Sequence, residues 1–334
     1  MHFFKRIAAY LLAVLGTLAL LVTLLSLLTT SVWWLQVLDF FRFQTLILHV
    51  LVLLGLLLLG WRRHRLARLL LLVGTGVGLA LQAQLLLPYS PLAARPVPDA
   101  TPAQATDSTG RLRLLEINVY MKNREAAPLL QLVRSVQPDV LLAVETDQWW
   151  VQALRPLQPQ YPYRVELPRS NTYGLVLYSR LPLLNPREYQ LQQQNVPSIR
   201  TGVRLPGGRV VTFYGVHPTP PFPYNYPNSV GMKDVALVKV GRMVKAETRP
   251  ALVCGDFNDV SWSHTTRMFQ AAGELHNVSL GRGLFNTFDA HWYPIRWPLD
   301  HLFVTKEFRL AELKRLPSVG SDHFPLYAEL VLAN

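Results

Sequence analysis

Cysteine is almost absent: Cys254 stands alone in 334 residues, which excludes an internal disulfide framework and leaves the redox compartment open. Its place in the apolar run 251–254 marks it as a core residue. Acidic residues are scarce as well, 21 against 33 basic, for a net charge of +12. Of these, 25 basic and 18 acidic side chains lie beyond Gly110, so that part carries +7. Such a surplus suits anionic lipid, nucleic acid or cell-wall polymer, and equally plain solubility. No repeat of short period is present, which argues against a solenoid. No small-residue cleavage site follows the first hydrophobic stretch, and further hydrophobic runs come after it, so a removable signal peptide is disfavoured.

What is abundant is uncharged, leucine-rich chain before Pro88. Residues 10–29, 45–60 and 66–87 each approach the ~20 apolar residues that cross a hydrocarbon core, and three membrane spans are expected, with Phe40, Phe41 and Phe43 at the edge of the second. Lys5 and Arg6 precede the first span, and Arg62, Arg63, Arg65 and Arg68 crowd the loop between the second and third. The positive-inside rule puts both in the cytoplasm. An odd number of spans then exports everything after Leu87, and leaves Trp33 and Trp34, in the loop 31–44, at the outer interface. Gly74-x-x-x-Gly78 offers a flat surface for helix contact, with Gln82 and Gln84 placed to bond a neighbouring helix. His49 fits either a neutral helix contact or a functional intramembrane group.

Residues 88–110 are rich in Pro, Ala, Thr and Ser, and read as a linker between the membrane part, 1–87, and a domain spanning 111–334. About twenty such residues reach on the order of 25 Å as a flexible coil, so the domain stays near the bilayer. Within it, apolar alternation and runs predict strands over 112–117, 140–144, 175–178, 201–205, 210–216, 251–254, 302–305 and 326–332. Helical spacing marks 126–136 and 232–245. This order fits an α+β domain with its strands packed in two layers.

The predicted strands end on polar residues: Asn118, Glu145, His217, Asp256 with Asn258, Asp300 with His301, and the run Ser321-Asp322-His323. In Gly255-Asp256-Phe257-Asn258 the carboxylate and the amide stand two apart on an extended segment. They point the same way and can face one small ligand, an arrangement suited to activating water beside a phosphate. The same letters also fit an Asx turn, and each other residue alone fits a cap, a surface side chain or a loop histidine. Arg200 and Arg204 beside a strand, and Trp149-Trp150 after Glu145, suit phosphate contact and base stacking, or a solvated strand face and an edge of the core.

In this order, Asn118, Val144-Glu145, Tyr178-Ser179-Arg180, His217, Gly255-Asp256-Phe257-Asn258, Asp300-His301 and Ser321-Asp322-His323-Phe324-Pro325 resemble the endonuclease/exonuclease/phosphatase (DNase I-like) family over residues 111–334. The resemblance implies a four-layered α/β sandwich of two mixed β-sheets flanked by helices, and hydrolysis of phosphoester bonds with Mg²⁺ or Mn²⁺. It implies Glu145 as the principal metal ligand, supported by Asn118, with Asp322 adding to the outer shell. Asp256 would orient or deprotonate the attacking water, Asn258 would hold a non-bridging oxygen, and Asp300 would hold His323 in the right tautomer. His217 and His323 would contact the phosphate from opposite sides; Arg200, on its residue type and not on the resemblance, is a further candidate substrate contact. Tyr120 stands where some DNA-repair members carry a second acid. The carboxylate that pairs with the first histidine in secreted nucleases is not apparent, Glu166 being the nearest acid. The proline- and aromatic-rich loop 218–228 shapes a substrate rim or forms a stiff surface loop.

The expectation is therefore a membrane-anchored phosphoesterase acting on a phospholipid head group or nucleic acid, its domain periplasmic or extracellular at a bacterial inner membrane. The rivals are an exported nuclease, a non-catalytic binding module on the same fold, and a transporter or sensor built on the spans.

Overall fold

The computed structural model describes residues 2–30, 32–59, 65–191, 193–220 and 232–333. Helices α1 (His2–Leu25), α3 (Arg42–Leu59) and α4 (Arg65–Leu86) form an amino-terminal bundle. A short α2 (Trp33–Gln36) and a 3₁₀ turn (Val37–Phe41) join the first two of these helices. Three segments, Phe3–Leu25, Trp33–Leu59 and Arg65–Tyr89, are long and apolar enough to cross a membrane. Arg62 and Arg63 of the predicted inner loop lie outside the described residues.

The bundle is closed by small and polar groups. A Cβ on Gly78 would sit 2.4 Å from the His49 ring, so only glycine lets α3 and α4 approach there. His49 Nε2 lies 2.9 Å from Thr23 Oγ1, which accepts from Gln82 Nε2 at 3.0 Å. Arg42, buried at the turn between α1 and α3, pairs with Asp39 and donates to Gln82 Oε1 and the Ser26 carbonyl. Of the two readings of His49, the structure gives the helix contact.

Residues 88–110 connect the bundle to the domain, but they are not the free coil expected from their composition. Tyr89 is buried against Trp262, and Val97 lies in the core between the sheets. Ala100 N donates to the Leu310 carbonyl at 2.8 Å, and Leu310 N to that of Pro98 at 3.0 Å. Arg282 donates to the Val97 carbonyl and pairs with Asp99. A capping box at Thr101 and Gln104 starts α5 (Pro102–Thr106). Proline-rich backbone has few N–H groups to satisfy, so it lies against an existing strand without leaving donors unpaired. Composition sees only the missing hydrophobic pattern.

Beyond Gly110 the chain folds as β1 (Arg111–Asn118), α6 (Ala127–Val136), β2 (Val140–Val144), α7 (Gln148–Ala153), β3 (Tyr163–Leu167), β4 (Leu175–Ser179), β5 (Leu183–Gln190), β6 (Pro197–Arg204) and β7 (Val210–Gly215). It continues through α8 (Met232–Lys245), β8 (Ala251–Asp256), α9 (His264–Gly273), β9 (His276–Asn277), β10 (Asp300–Val304), β11 (Phe308–Arg315) and β12 (Leu326–Leu332). Two six-stranded mixed sheets result, ordered β11-β12-β1-β2-β4-β3 and β5-β6-β7-β8-β10-β9. The parallel pairs are β1 with β2 and β7 with β8.

Side-chain alternation assigns the layers. Leu112 and Leu114 of β1 meet Leu252, Cys254, Leu302 and Val304 between the sheets. Leu115 and Ile117 face outward to Leu129 and Val133 of α6, and Phe303 meets Val240 of α8 and Phe269 of α9. The expected four-layered sandwich is the observed one. In α6, Leu129 and Val133 stand one turn apart on the buried face. Gln137, in a left-handed conformation, ends the helix before Pro138.

Continued by one or two pairs of residues, the row that packs the inter-sheet core delivers Glu116 and Asn118 on β1, Asp256 on β8 and Asp300 on β10 to its rim. The bundle backs this region. Phe40, Leu86 and Tyr89 form one apolar cluster with Val260, Trp262 and Leu299, and Trp262 Nε1 donates to the Asp39 carbonyl at 2.7 Å.

Candidate active site

Strand pairing brings the predicted residues together. Asp300 lies opposite Asp256 in the β8–β10 ladder, and Asn118 opposite Val144 in β1–β2, so Glu145 emerges beside Asn118. His217 follows β7, next to β8. Gly255 makes this approach possible: its φ is +145°, and a Cβ there would fall 1.9 Å from the Val216 carbonyl oxygen.

Three other strand ends turn through the left-handed region without glycine, at Tyr120 (φ 54°), Glu145 (φ 61°) and Asn258 (φ 51°). Such residues carry on the order of 1–3 kcal/mol of strain and concentrate where side chains must be aimed. Asx turns hold two of them, with Tyr120 N donating to Asn118 Oδ1 at 2.9 Å and Asn258 N to Asp256 Oδ1 at 2.7 Å. The Asx-turn reading of Gly-Asp-x-Asn and the functional one are therefore compatible.

Asp256 is the centre. Its Oδ2 accepts from Asn118 Nδ2 at 2.9 Å and lies 3.6 Å from His217 Nε2 and 3.7 Å from His323 Nε2. Asn118 Nδ2 also donates to Glu145 Oε1 at 3.1 Å, and Glu145 Oε2 accepts from Met121 N. Asp300 Oδ2 meets His323 Nδ1 at 2.7 Å, as the sequence suggested. Ser321 Oγ donates to the Asn118 carbonyl at 2.6 Å and fixes the carboxy-terminal motif against β1. Asn258 Nδ2 donates to the Pro218 carbonyl, which leaves its second N–H for a ligand.

Burial acts against the charge of His323, but the Asp300 and Asp256 carboxylates outweigh it and push its pKa up to about 10. Asp300 is held below the usual carboxylate range, since His323 overcomes the effect of burial. Burial lowers His217 and raises Asp256, the latter opposed by His323. Burial also raises Asp322; His323 opposes this and the charge of Glu145 adds to it. Glu145 and Asp322 therefore repel each other across a gap that a cation would relieve.

One expected position falls elsewhere. Arg200 faces α8 with Tyr214 and is held by Glu247 at 2.6 Å, so its charge is already matched and it does not join the cluster. Glu166 accepts from Tyr178 Oη at 2.7 Å and does not pair with His217, whose Nδ1 has no partner among the described residues. Trp150 is core, while Trp149 lies half-exposed under Arg124. Of the loop 218–228, residues 221–228 lie outside the described residues.

Other contributors escaped the sequence reading. The Phe288 ring lies 5.0 Å from that of His323, and Tyr173 lies 5.2 Å from His217. Glu116 is fully buried below Asn118; burial, then the charges of Asp300 and Asp256, push its carboxyl well up. The signal for it was an acid inside the apolar run 112–117.

A divalent ion suits this donor set. Asp256, Asp300 and His323 present ligand atoms within 4.8 Å of one another, the tightest such His/Cys/Asp/Glu group among the described residues. Glu145, Asn118 and Asp322 add hard oxygen donors on the neighbouring strand ends. Asp300 and His323 already engage each other, which leaves the Glu145 side as the place where carboxylate charge is unmatched.

The sequence matches the endonuclease/exonuclease/phosphatase family over residues 115–323. No curated protein sequence matches the chain. Among solved structures, a humanized D. rerio TDP2 aligns with TM-score 0.54 and 16% identity, covering 66% of this chain and 99% of that one. The human Nocturnin catalytic domain with bound sulfate aligns with TM-score 0.54 and 16% identity, covering 68% and 97%. An endonuclease/exonuclease/phosphatase from Bacteroides vulgatus gives 0.53 and 18%, covering 66% and 99%. At these identities the likeness is one of fold.

Proposed function

The chain belongs to the endonuclease/exonuclease/phosphatase family of metal-dependent phosphoester hydrolases, and from that premise we propose that it cleaves a phosphodiester or phosphomonoester outside the cytoplasm while anchored in a bacterial inner membrane. The observation that carries this reading is the convergence of five strand ends and the Ser321–His323 motif on one buried carboxylate, Asp256.

A Mg²⁺ or Mn²⁺ ion held by Glu145 and Asn118, with Asp322 in its outer shell, would supply polarisation of a phosphoryl oxygen and stabilise the leaving oxygen. Asp256 takes the proton of the attacking water, its carboxylate kept basic by burial. His323 donates from Nε2 to the phosphoryl group, and Asp300 keeps Nδ1 engaged so that the donor faces the substrate. His217 lies on the other side of Asp256 and presents Nε2 from there. The free N–H of Asn258 suits a non-bridging oxygen as charge grows on it.

A phospholipid head group is the favoured substrate, because the apolar seam with the bundle holds the site loops beside the helices. The nuclease reading has the +7 charge of residues 111–334 behind it, but it loses Arg200 to Glu247.

The test uses the full chain in phospholipid nanodiscs, because residues 88–110 and the bundle share the domain's core. Phospholipids, sphingomyelin, plasmid DNA, RNA and simple phosphate esters are offered with Mg²⁺, Mn²⁺ or EDTA. Metal-dependent cleavage that disappears in Asp256→Ala is expected. Cleavage that survives both Asp256→Ala and Glu145→Ala would defeat the assignment, and a folded chain that binds metal but cleaves nothing would favour a binding module.

A further inference from the structure

The loop that follows Phe288 has a composition unlike its surroundings. Trp292 is 58% exposed and Tyr293 81%, so two large rings face outward. The loop is tied at both ends to parts already described. Phe288 packs on the His323 ring, and Ala290 N donates to the Asp322 carbonyl at 2.7 Å. At the other end Trp297 meets the rings of Phe40 and Phe41 edge-on, at 5.7 and 5.5 Å.

Those two phenylalanines lie in the turn that joins α1 to α3, the same connection that exposes Trp33 and Trp34. Tryptophans at a helix end mark the headgroup level of a bilayer. Residues 289–296 leave and return between these anchors. At ~3.5 Å per residue their tip cannot lie farther than roughly 15 Å from that level.

The loop also carries charge of one sign. The Arg296 guanidinium lies 4.9 Å from both the Tyr293 and Phe324 rings, and Arg315 covers Phe324 at 4.4 Å. Among the described residues they hydrogen-bond backbone carbonyls, those of Asp289 and Ala290 for Arg296 and that of Asn286 for Arg315. The Asp289 carboxylate instead caps His291 N. Two guanidiniums share one ring, and among the described residues neither forms an ion pair with an acid.

The geometry points to a bilayer-contact element: Trp292 and Tyr293 sit among the head groups of the membrane that the helices cross, and Arg296 with Arg315 takes their phosphates, so that the neighbouring site acts on phospholipid of that same membrane. This rests on reading the helices as spans and the site as a phosphoesterase. Amphipathic rings beside cations favour the interface between hydrocarbon and water, and anionic lipid strengthens the contact.

The first test needs no turnover. Cys254 is the only cysteine and is buried, so Tyr293→Cys in the full chain can be labelled there with an environment-sensitive fluorophore. In vesicles of phosphatidylcholine and phosphatidylglycerol, the label is expected to be quenched by spin-labelled lipid and shielded from aqueous iodide. Quenching by iodide alone overturns the proposal.

A kinetic arm separates this from the functional reading. Replacing both arginines by Ala is expected to raise KM for vesicle phospholipid about fivefold per residue more than KM for a water-soluble chromogenic phosphodiester. An equal change for both substrates also overturns it. Lipid quenching from a chain that hydrolyses nothing would uphold the contact and defeat the phosphoesterase reading instead.

Discussion

The Asp300–His323 pair offers the sharpest measure of the proposed chemistry. Asp300→Asn preserves volume and leaves an amide oxygen near Nδ1, but removes the buried negative charge that faces His323 at 2.7 Å. A hydrogen bond to a charged group contributes about 1.5–3 kcal/mol. If that stabilisation is expressed on the phosphoryl group in the transition state, kcat falls about 10- to 150-fold. KM should stay within about twofold, because a purely orienting loss acts on the transition state and not on ground-state binding. Loss of the charge also removes one cause of the raised Glu116 carboxyl, so the stability penalty should be smaller than for Asp300→Ala. Steady-state hydrolysis of a chromogenic phosphodiester by full chain in nanodiscs measures both constants. Unchanged kcat in a folded Asp300→Asn protein, or a loss confined to KM, would refute the argument that Asp300 works through His323.

Val97→Ala should destabilise the domain by about 2 kcal/mol, since it removes two buried methyl groups and opens a cavity between the sheets; a change within about 0.5 kcal/mol in denaturant unfolding would return 88–110 to the status of a loose tether. Trp262→Phe keeps a smaller aromatic ring but removes the indole N–H bond to the Asp39 carbonyl, and should cost about 1 kcal/mol more in thermal unfolding of the full chain than in a chain whose bundle has been detached. In EDTA, stability should fall with acid, because burial keeps His217 and His301 neutral when folded while the unfolded chain protonates them below pH ~6.5. His323 has the opposite sign: its pKa of about 10 gives stability that is complete below pH ~6.5 and lost as pH rises through 10. Unfolding free energy measured across pH checks both limbs, and His301→Gln should flatten only the acid one.

The strands that the sequence revealed are the ones buried on both faces or regularly alternating. β2, β4, β8 and β10 are buried along their whole length, and β1 and β12 along most of theirs. The ones it hid are edges. β3, β5, β9 and β11 close the two sheets, and β5 is exposed along most of its length and broken by a register shift before Arg187. An edge strand takes its place from the neighbour's unpaired N–H and C=O groups, which its own side chains do not report. The short helix α7 and helix α9 were missed although their N-caps, Asp147 and Ser263, are plain: six residues are too few to show a helical period in α7, and few apolar residues follow Ser263 in α9.

The site divides in the same way. Asn118, Glu145, His217 and Asp256 close hydrophobic runs and Asp300 opens one, so they were legible as candidates, while Asn258 and His323 stood out through the Gly-Asp-x-Asn and Ser-Asp-His-x-Pro motifs. Glu116, Phe288 and Tyr173 were not, because nothing in the local chain says which buried acid will face another or which ring will cover a histidine. Arg200 was misplaced for the converse reason: its residue type suits phosphate, while the partner that neutralises it, Glu247, lies 47 residues away.

By itself the sequence determined the membrane-length helices, the apolar rows and the order of polar strand ends, since periodicity and hydropathy are properties of neighbouring residues. Only the tertiary structure decided that the proline-rich connection joins the core, that Phe40 and Phe41 back the loop beside His323, and which carboxylates are buried together or oppose a histidine. Those outcomes depend on which surfaces meet when two sheets and a bundle close together, and on the loss of water between them, which turns weak local preferences into fixed partners.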